Sequence, residues 1–429
     1  MGAVRSPKER IMSRRVFVAG GAITPFLGKG HPDFIWKRHP DFGQRENPTL
    51  REHLTSAVTR AAENVGADLT MVDKAYVANF VGELFVNQGH LGAALAGVHP
   101  ALALKPTMRV EGACASGGLA MVCGVDAIRA GSDVVLVTGV EVQTTASART
   151  GGDYLARAAD YERQRGIDDF TFPALFARRT KAYREAFGVT EEDIARAAVK
   201  AYANANKNPL AHMHARKVDL AFASAPNDKN PNFLSHEEYA PYLKVTDCSQ
   251  VSDGAAAMFL VSEEGLAKMG LKPSDAIELL GLGHATDSLY VDRDLREMTT
   301  TRTAADQAYA QAGLNAVDVD VAEVHDCFTV TELLMYEALG FAEPGRGAEL
   351  LKEGVTEIGG ALPVNTGGGL VGFGHPVGAT GVKQVLELHR QMKGKCAEYQ
   401  VPGTPSVGMT ANMGGDDKTA VVGLFRNIT

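Results

Sequence analysis

Cys114 lies in the run GACASGG, between an extended segment and a run with helical spacing. A thiol at a helix N-terminus feels the positive end of the macrodipole, which lowers its pKa and raises the thiolate fraction. The small neighbours leave room for a bulky thioester. A small buried core cysteine is the plain alternative. His375 follows in GFGHPVGATG, where four glycines in ten residues leave one imidazole with little side-chain cover. Such a ring can act as a base toward a thiol or donate to a developing oxyanion. A helix-capping or loop histidine fits the same pattern.

His325, Asp326 and Cys327 end the apolar run VAEV. Strand ends are where ligands bind in α/β folds. Side chains two apart share a face, so His325 and Cys327 are expected in one cavity, with Asp326 turned away as a structural residue. No third and fourth ligand stand at a suitable spacing, and no metal is expected. The run ANMGGDDK at 411–418 separates two strands. Its adjacent glycines can aim N–H groups at an oxyanion, or form a plain hairpin turn. Cys123 falls inside the helix that starts at Cys114, Cys248 precedes SDGAAA, and Cys396 sits in a polar stretch expected to be exposed. None of these three is assigned chemistry.

The elements that must hold these motifs alternate between strand and helix, which indicates an α/β fold. RRVFVAGGAITPF reads as a first strand, LREHLTSAVTRAAENVG as an amphipathic helix, and SDVVLVTGVE as a fully buried strand. Gly131 marks a helix stop. A loop at 31–48 repeats HPDF at 31–34 and 39–42, which suits a surface loop or a lid. From Gln143 the texture becomes polar and helical, as an insertion would. The second half then echoes the first: Asp73 and Asp320, Ala75 and Ala322, and Val77 and Val324 are each 247 positions apart. The expected organisation is an N-terminal extension at 1–13 and an N-terminal half at 14–142 and 244–270. An inserted helical domain follows at 143–243, and a C-terminal half at 271–429.

Composition bounds the function. A chain with 45% hydrophobic and 22% charged residues is globular, and its length suggests two or three domain-sized units. The net charge of −8 argues against a general nucleic-acid binder, although a local basic patch is enough for coenzyme A. No apolar run approaches the ~20 residues that span a bilayer. Neither a secretory signal nor a peroxisomal C-terminus is evident, and five scattered cysteines fit reduced thiols, so a cytoplasmic location is expected.

Together the four motifs resemble the thiolase superfamily, and more closely its sterol-carrier-protein type. CAS, HDCF, GHP and a glycine-bearing C-terminal turn follow in order across nearly the whole chain, with SDGAAA at 252–257 between them. The commoner thiolases carry NEAF where this chain has His325-Asp326-Cys327-Phe328. They also carry a second catalytic cysteine in a C-terminal C-x-G where this chain has Asn412-Met413-Gly414. In the sterol-carrier type the HDCF cysteine is thought to take over that role. The implied fold is a pair of duplicated mixed-sheet halves forming five alternating helix and sheet layers, with a mostly helical loop domain. The implied assembly is a homodimer or homotetramer.

The implied reaction, in fatty-acid metabolism, is cleavage of a 3-oxoacyl-CoA with CoA, or the reverse Claisen condensation, through an acyl group on Cys114. CoA thioesters are then substrates, with no tightly bound cofactor. His375 takes the Cys114 proton, Cys327 moves the α-carbon proton, and His325 helps form one oxyanion hole. The backbone N–H groups of Cys114 and Gly414 form the other, and Ser249 lies by the pantetheine chain. Arg178, Arg179 and Lys181 are candidates for the CoA phosphates. Two alternatives stand beside this reading. One is a ketoacyl or hydroxymethylglutaryl-CoA synthase, whose triads fit HDCF and GHPVGATG less well. The other is an acyl-CoA-binding or scaffold protein without turnover, suggested by the missing C-x-G cysteine and opposed by the retained cysteines and histidines. No separate sterol carrier domain is visible, so lipid transfer is not expected.

Overall fold

The structure, a computed structural model, describes residues 14–429; the expected extension at 1–13 lies outside them. Its strands are β1 (Phe17–Ile23), β2 (Lys74–Ala78), β3 (Thr107–Val110), β4 (Val134–Glu141), β5 (Gly254–Val261), β6 (Ile277–Thr286), β7 (Val321–Glu323), β8 (Val407–Gly414) and β9 (Thr419–Asn427). The longer helices are α1 (Leu50–Val65), α2 (Ser116–Arg129), α3 (Thr171–Phe187), α4 (Glu191–Ala205), α5 (Thr299–Ala312), α6 (Thr329–Ala338) and α7 (Thr380–Met392).

The strands run in the order β3-β2-β4-β5-β1-β6-β9-β8-β7. Two half-sheets meet where Phe17 pairs Glu278 and Val18 pairs Ile277. The halves are copies of one plan. In the first, β2 is parallel to β3 and β4, and β5 runs antiparallel between β4 and β1. In the second, β7 is parallel to β8 and to a bridge at Val364, and β9 runs antiparallel between β8 and β6. The aspartate echo in the sequence has a physical cause. Asp73 accepts from the N–H groups of Asp133 and Val134 at 2.7 and 3.0 Å, and Asp320 from those of Ser406 and Val407 at 2.7 and 2.9 Å. In both halves one carboxylate pins the start of the neighbouring parallel strand.

Helices cover both faces. α1 packs on β1 and β5, and α5 on β6 and β9, as outer layers; α2 and α7 lie against each other between the half-sheets. The result is five alternating layers. All eight residues of β4 and all eight of β5 are buried, which is why both read as unbroken apolar runs. Within the middle layer α7 has no solvent face: every one of its residues except Arg390 is buried. Its charges therefore need internal partners, and Lys383 pairs Glu323 at 2.9 Å while Glu387 pairs Arg390 at 2.8 Å.

Local rules set the helix ends. Thr49 and Glu52 form a capping box at α1, which stops at Gly66 with φ +65°. Between β4 and β5, residues 143–243 carry α3, α4 and shorter helices. The HPDF repeat builds the same turn twice. Asp33 N–H donates to His31 Nδ1 at 3.0 Å, and Asp41 N–H to His39 Nδ1 at 3.1 Å. The copies differ in environment, with Phe34 buried and Phe42 exposed. One sequence expectation fails here: Cys396 is fully buried, because the polar run around it turns inward under α7 beside Tyr399.

Candidate active site

The N-termini of α2 and α7 meet at the middle of the molecule. Cys114 stands in the tight turn Ala113–Ala115 just before α2, and His375 lies five residues before α7. The helices touch through glycine. A Cβ on Gly117 would come within 2.7 Å of Gly381 N, and one on Gly381 within 2.7 Å of the Gly117 carbonyl carbon, closer than atoms pack. Ala113 holds φ +52°, a left-handed conformation that costs a non-glycine residue on the order of 1–3 kcal/mol. Its N–H is tied to the Glu111 carboxylate at 2.6 Å.

Two histidines face this turn with opposite tautomers. Thr380 Oγ1 donates its single proton to the Pro376 carbonyl at 3.0 Å and lies 2.7 Å from His375 Nδ1. With that proton on the carbonyl, His375 Nδ1 is assigned as the donor to Thr380 Oγ1, leaving a lone pair on Nε2. For His325 the logic reverses. Asn412 Oδ1 accepts from Gly118 N at 2.9 Å, which fixes the amide; its Nδ2 then donates to Cys114 O at 3.0 Å and faces His325 Nδ1 at 3.3 Å. His325 Nδ1 accepts, so its proton is on Nε2, a buried atom without a protein partner. The rings lie edge to face with centroids 5.2 Å apart. The Cys114 sulfur and one nitrogen of each ring fall within 4.8 Å of one another.

Burial sets the charges. It pushes the Cys114 thiol up to about 12, offset in part by a hydrogen bond from the Gly415 N–H, while Glu141 raises it further. This runs against the lowered thiol pKa expected from the helix N-terminus: desolvation raises it, and the Gly415 and Cys114 N–H groups offset only part of the rise. Burial holds His375 at about 3 and His325 well below the usual histidine range, and it pushes Cys327 well up. The resting site is thus neutral throughout. These three atoms form the one donor group compact enough for a metal ion among the described residues.

A cavity of about 160 Å³ opens on Cys114, Cys327 and His375, walled by Phe172, Phe176 and Phe328. Ser249 and Gly415 line it too. Ser249 is held there by its N–H, which donates to Cys327 O at 2.9 Å. His325 is fully buried beside Cys114, and Asp326 points away to accept from Leu370 N at 2.6 Å. Gly414 is wedged against the Gly112 and Ala115 backbone, so the N–H on the sulfur is that of Gly415, one residue further along. The three cations considered for CoA phosphates are largely spoken for. Arg179 is buried on Asp416 and the Leu295 and Glu297 carbonyls, Lys181 pairs Glu238 at 2.9 Å, and Arg178 lies 4.0 Å from Asp416 in a separate cavity.

Glu141 escaped the sequence reading. It is fully buried at the end of β4, and its carboxylate accepts from Asn79 Nδ2, Phe80 N and Gly378 N at 2.8, 2.8 and 3.1 Å. It thereby joins the loop after β2 to the turn after His375. A lone acid closing the apolar run VVLVTGVE was the available signal. Thr380, which sets the His375 tautomer, was also missed.

Two family descriptions match: the thiolase N-terminal domain over residues 40–264 and the thiolase C-terminal domain-like family over 281–427. The chain belongs to the thiolase family. This thiolase is 35% identical over 378 residues to an acetyl-CoA acetyltransferase of Methanothermobacter thermautotrophicus, covering 88% of this chain and 94% of the relative. It is 30% identical to human sterol carrier protein 2, over 95% of this chain and 71% of that protein. Among solved structures the Ltp2-ChsH2(DUF35) aldolase superposes with TM-score 0.76 at 22% identity, over 96% of this chain and 98% of that one, which speaks for the fold.

Proposed function

We propose that this thiolase cleaves a 3-oxoacyl-CoA with CoA, or runs the reverse condensation, through an acyl group on Cys114. The observation that carries the reading is the Cys114 sulfur set beside one histidine offering a lone pair and another offering an N–H. In cleavage the Cys114 proton passes to His375 Nε2 and the thiolate attacks the 3-oxo carbon. N–H groups of Cys114 and the Gly414–Gly415 turn receive the resulting oxyanion. The C2–C3 bond then breaks, the acyl group stays on sulfur, and the electron pair goes to the acetyl-CoA enolate. His325 Nε2–H and the newly protonated His375 Nε2 stabilise its oxygen, at about 3–4 kcal/mol per well-placed donor. Cys327 gives its proton to C2, releasing acetyl-CoA. The Cys327 thiolate next deprotonates incoming CoA, which takes the acyl group, and His375 returns the proton to Cys114.

Each thiol needs its proton moved only when substrate is in place, which suits two cysteines with raised pKa values. No metal and no tightly bound cofactor enters these steps. Ser249 would flank the pantetheine. A cytoplasmic homodimer or homotetramer is the expected setting. We would incubate the protein with acetoacetyl-CoA and CoA and follow loss of the 3-oxoacyl thioester, with intact mass reporting acylated Cys114. Activity lost in both Cys114→Ala and Cys327→Ala supports the scheme. Activity retained by Cys327→Ala removes that residue from the proton transfer. Tight CoA binding with no acyl adduct and no turnover replaces the scheme with non-catalytic binding.

A further inference from the structure

A second cavity, of about 340 Å³, adjoins the catalytic one, and Gln143, Ala148, Leu155, Gln250 and Val251 line both. Its far wall is the loop that carries the HPDF repeat, contributing Lys29, Phe34 and Trp36. Phe85 and Val251 add apolar surface. Two cations converge on the Trp36 ring, with Lys29 Nζ at 5.7 Å and Arg38 Cζ at 5.6 Å from its centroid. Neither forms an ion pair among the described residues. By contrast, Arg149, Arg179 and Lys181 of the insertion pair with Asp169, Asp416 and Glu238. Two like charges held near one indole ring without an ion-pair partner among the described residues, in a chain of net charge −8, leave a local positive potential beside the cavity.

The wall is also rigid. Asn47 closes the loop by accepting from Ile35 N at 2.8 Å and donating to Ile35 O at 2.9 Å. Lys29 O bonds His212 Nε2 at 3.3 Å; His212 Nδ1 lies 2.9 Å from Ser252 Oγ, and that oxygen accepts from His375 N at 3.3 Å. The cation-bearing loop is thus tied through two side chains to the backbone of a residue in the catalytic cluster.

We propose that this second cavity holds an anionic group of the thioester substrate, received by Lys29 in its wall, with the exposed Arg38 adding its charge from beside the Trp36 ring. The anion is either a phosphate of CoA or a carboxylate at the far end of the acyl chain. The assignment rests on the thiolase reading for the substrate class, so its test reads binding and not turnover. Trp36 is the only tryptophan in the chain, which makes its fluorescence a local reporter. Cys114→Ala protein would be titrated with acetoacetyl-CoA, with acetoacetyl-pantetheine, which lacks the phosphates, and with a 3-oxoacyl-pantetheine ending in a carboxylate. Calorimetry would run on the same samples.

The expected result is a saturable change in Trp36 emission with an anion-bearing ligand. Its Kd should weaken about tenfold or more in the Lys29→Met/Arg38→Met variant, while neutral acetoacetyl-pantetheine shows no such loss. A loss confined to the CoA ester identifies the phosphates; a loss confined to the carboxylate ester identifies the acyl terminus. Calorimetric saturation with all three ligands and no change at Trp36 overturns the proposal, as does an equal loss for the neutral ligand. Full binding here with no turnover in the Cys114 enzyme would instead refute the thiolase scheme and leave this site standing.

Discussion

Replacing Gly381 with alanine tests how tightly the two catalytic helices are coupled. The added Cβ would lie 2.7 Å from the Gly117 carbonyl carbon, and nearer still to Gly118 N and Asn412 Oδ1. Ordinary contact distances begin near 3.4 Å, so either the helices part or Asn412 moves by about 1 Å. Asn412 links Gly118 N, Cys114 O and His325 Nδ1, so both responses shift the thiol relative to the histidines. Overpacking of this kind costs about 1–3 kcal/mol, and a misplacement of about 1 Å can cost about 100-fold in rate. Helix propensity argues the other way, since alanine gains up to about 1 kcal/mol over glycine. The expected net effect is a loss of up to about 2 kcal/mol in denaturant unfolding, with a far larger fall in thiolysis rate. A variant as active as the parent and more stable would refute the close-contact argument, because propensity alone would then decide the outcome.

Three further expectations follow from the site. Cys114 alkylation by iodoacetamide should be slow at pH 7 and keep rising past pH 9, since burial holds the thiol up near 12; a plateau near neutrality would show the dipole to win after all. Burial also raises the Glu141 carboxyl to about 7 from 4.5. Its folded form then binds the proton more tightly than its unfolded form. The associated stability is full below about pH 4.5 and is lost as pH rises through 7, by an amount on the order of 3 kcal/mol. Glu141→Gln should flatten that part of the stability–pH curve in urea unfolding, and an unchanged slope would count against it. Thr380→Val leaves the His375 Nδ1 hydrogen unpaired and frees the tautomer, so acylation should slow about tenfold or more with little change in KM; an unaltered rate would mean that the hydroxyl does not set the base.

Much of the fold was legible because the layers are regular. Strands buried on both faces write continuous apolar runs, as in β4 and β5, and a glycine marks a helix end, as at Gly131 after α2. The duplication showed in a pair of aspartates because each performs the same local hydrogen-bonding task. Cys396 misled because polarity along the chain marks average exposure, not the direction in which one short run turns.

The chemistry-bearing residue types were likewise set down in the chain: Cys114, His325, Cys327 and His375 stand out through their glycine-rich or strand-end settings. What the sequence determined alone was the inventory, the alternation of elements and the doubled plan. Tertiary structure decided protonation and partnership. The sign of the Cys114 shift depends on how much low-dielectric protein surrounds the turn, which is a sum over segments far apart in sequence. The two tautomers depend on Thr380 and on Asn412, the latter 298 positions from Cys114. Such contacts leave no local pattern, because a single hydrogen bond constrains two side chains without imposing any periodicity on the chain between them.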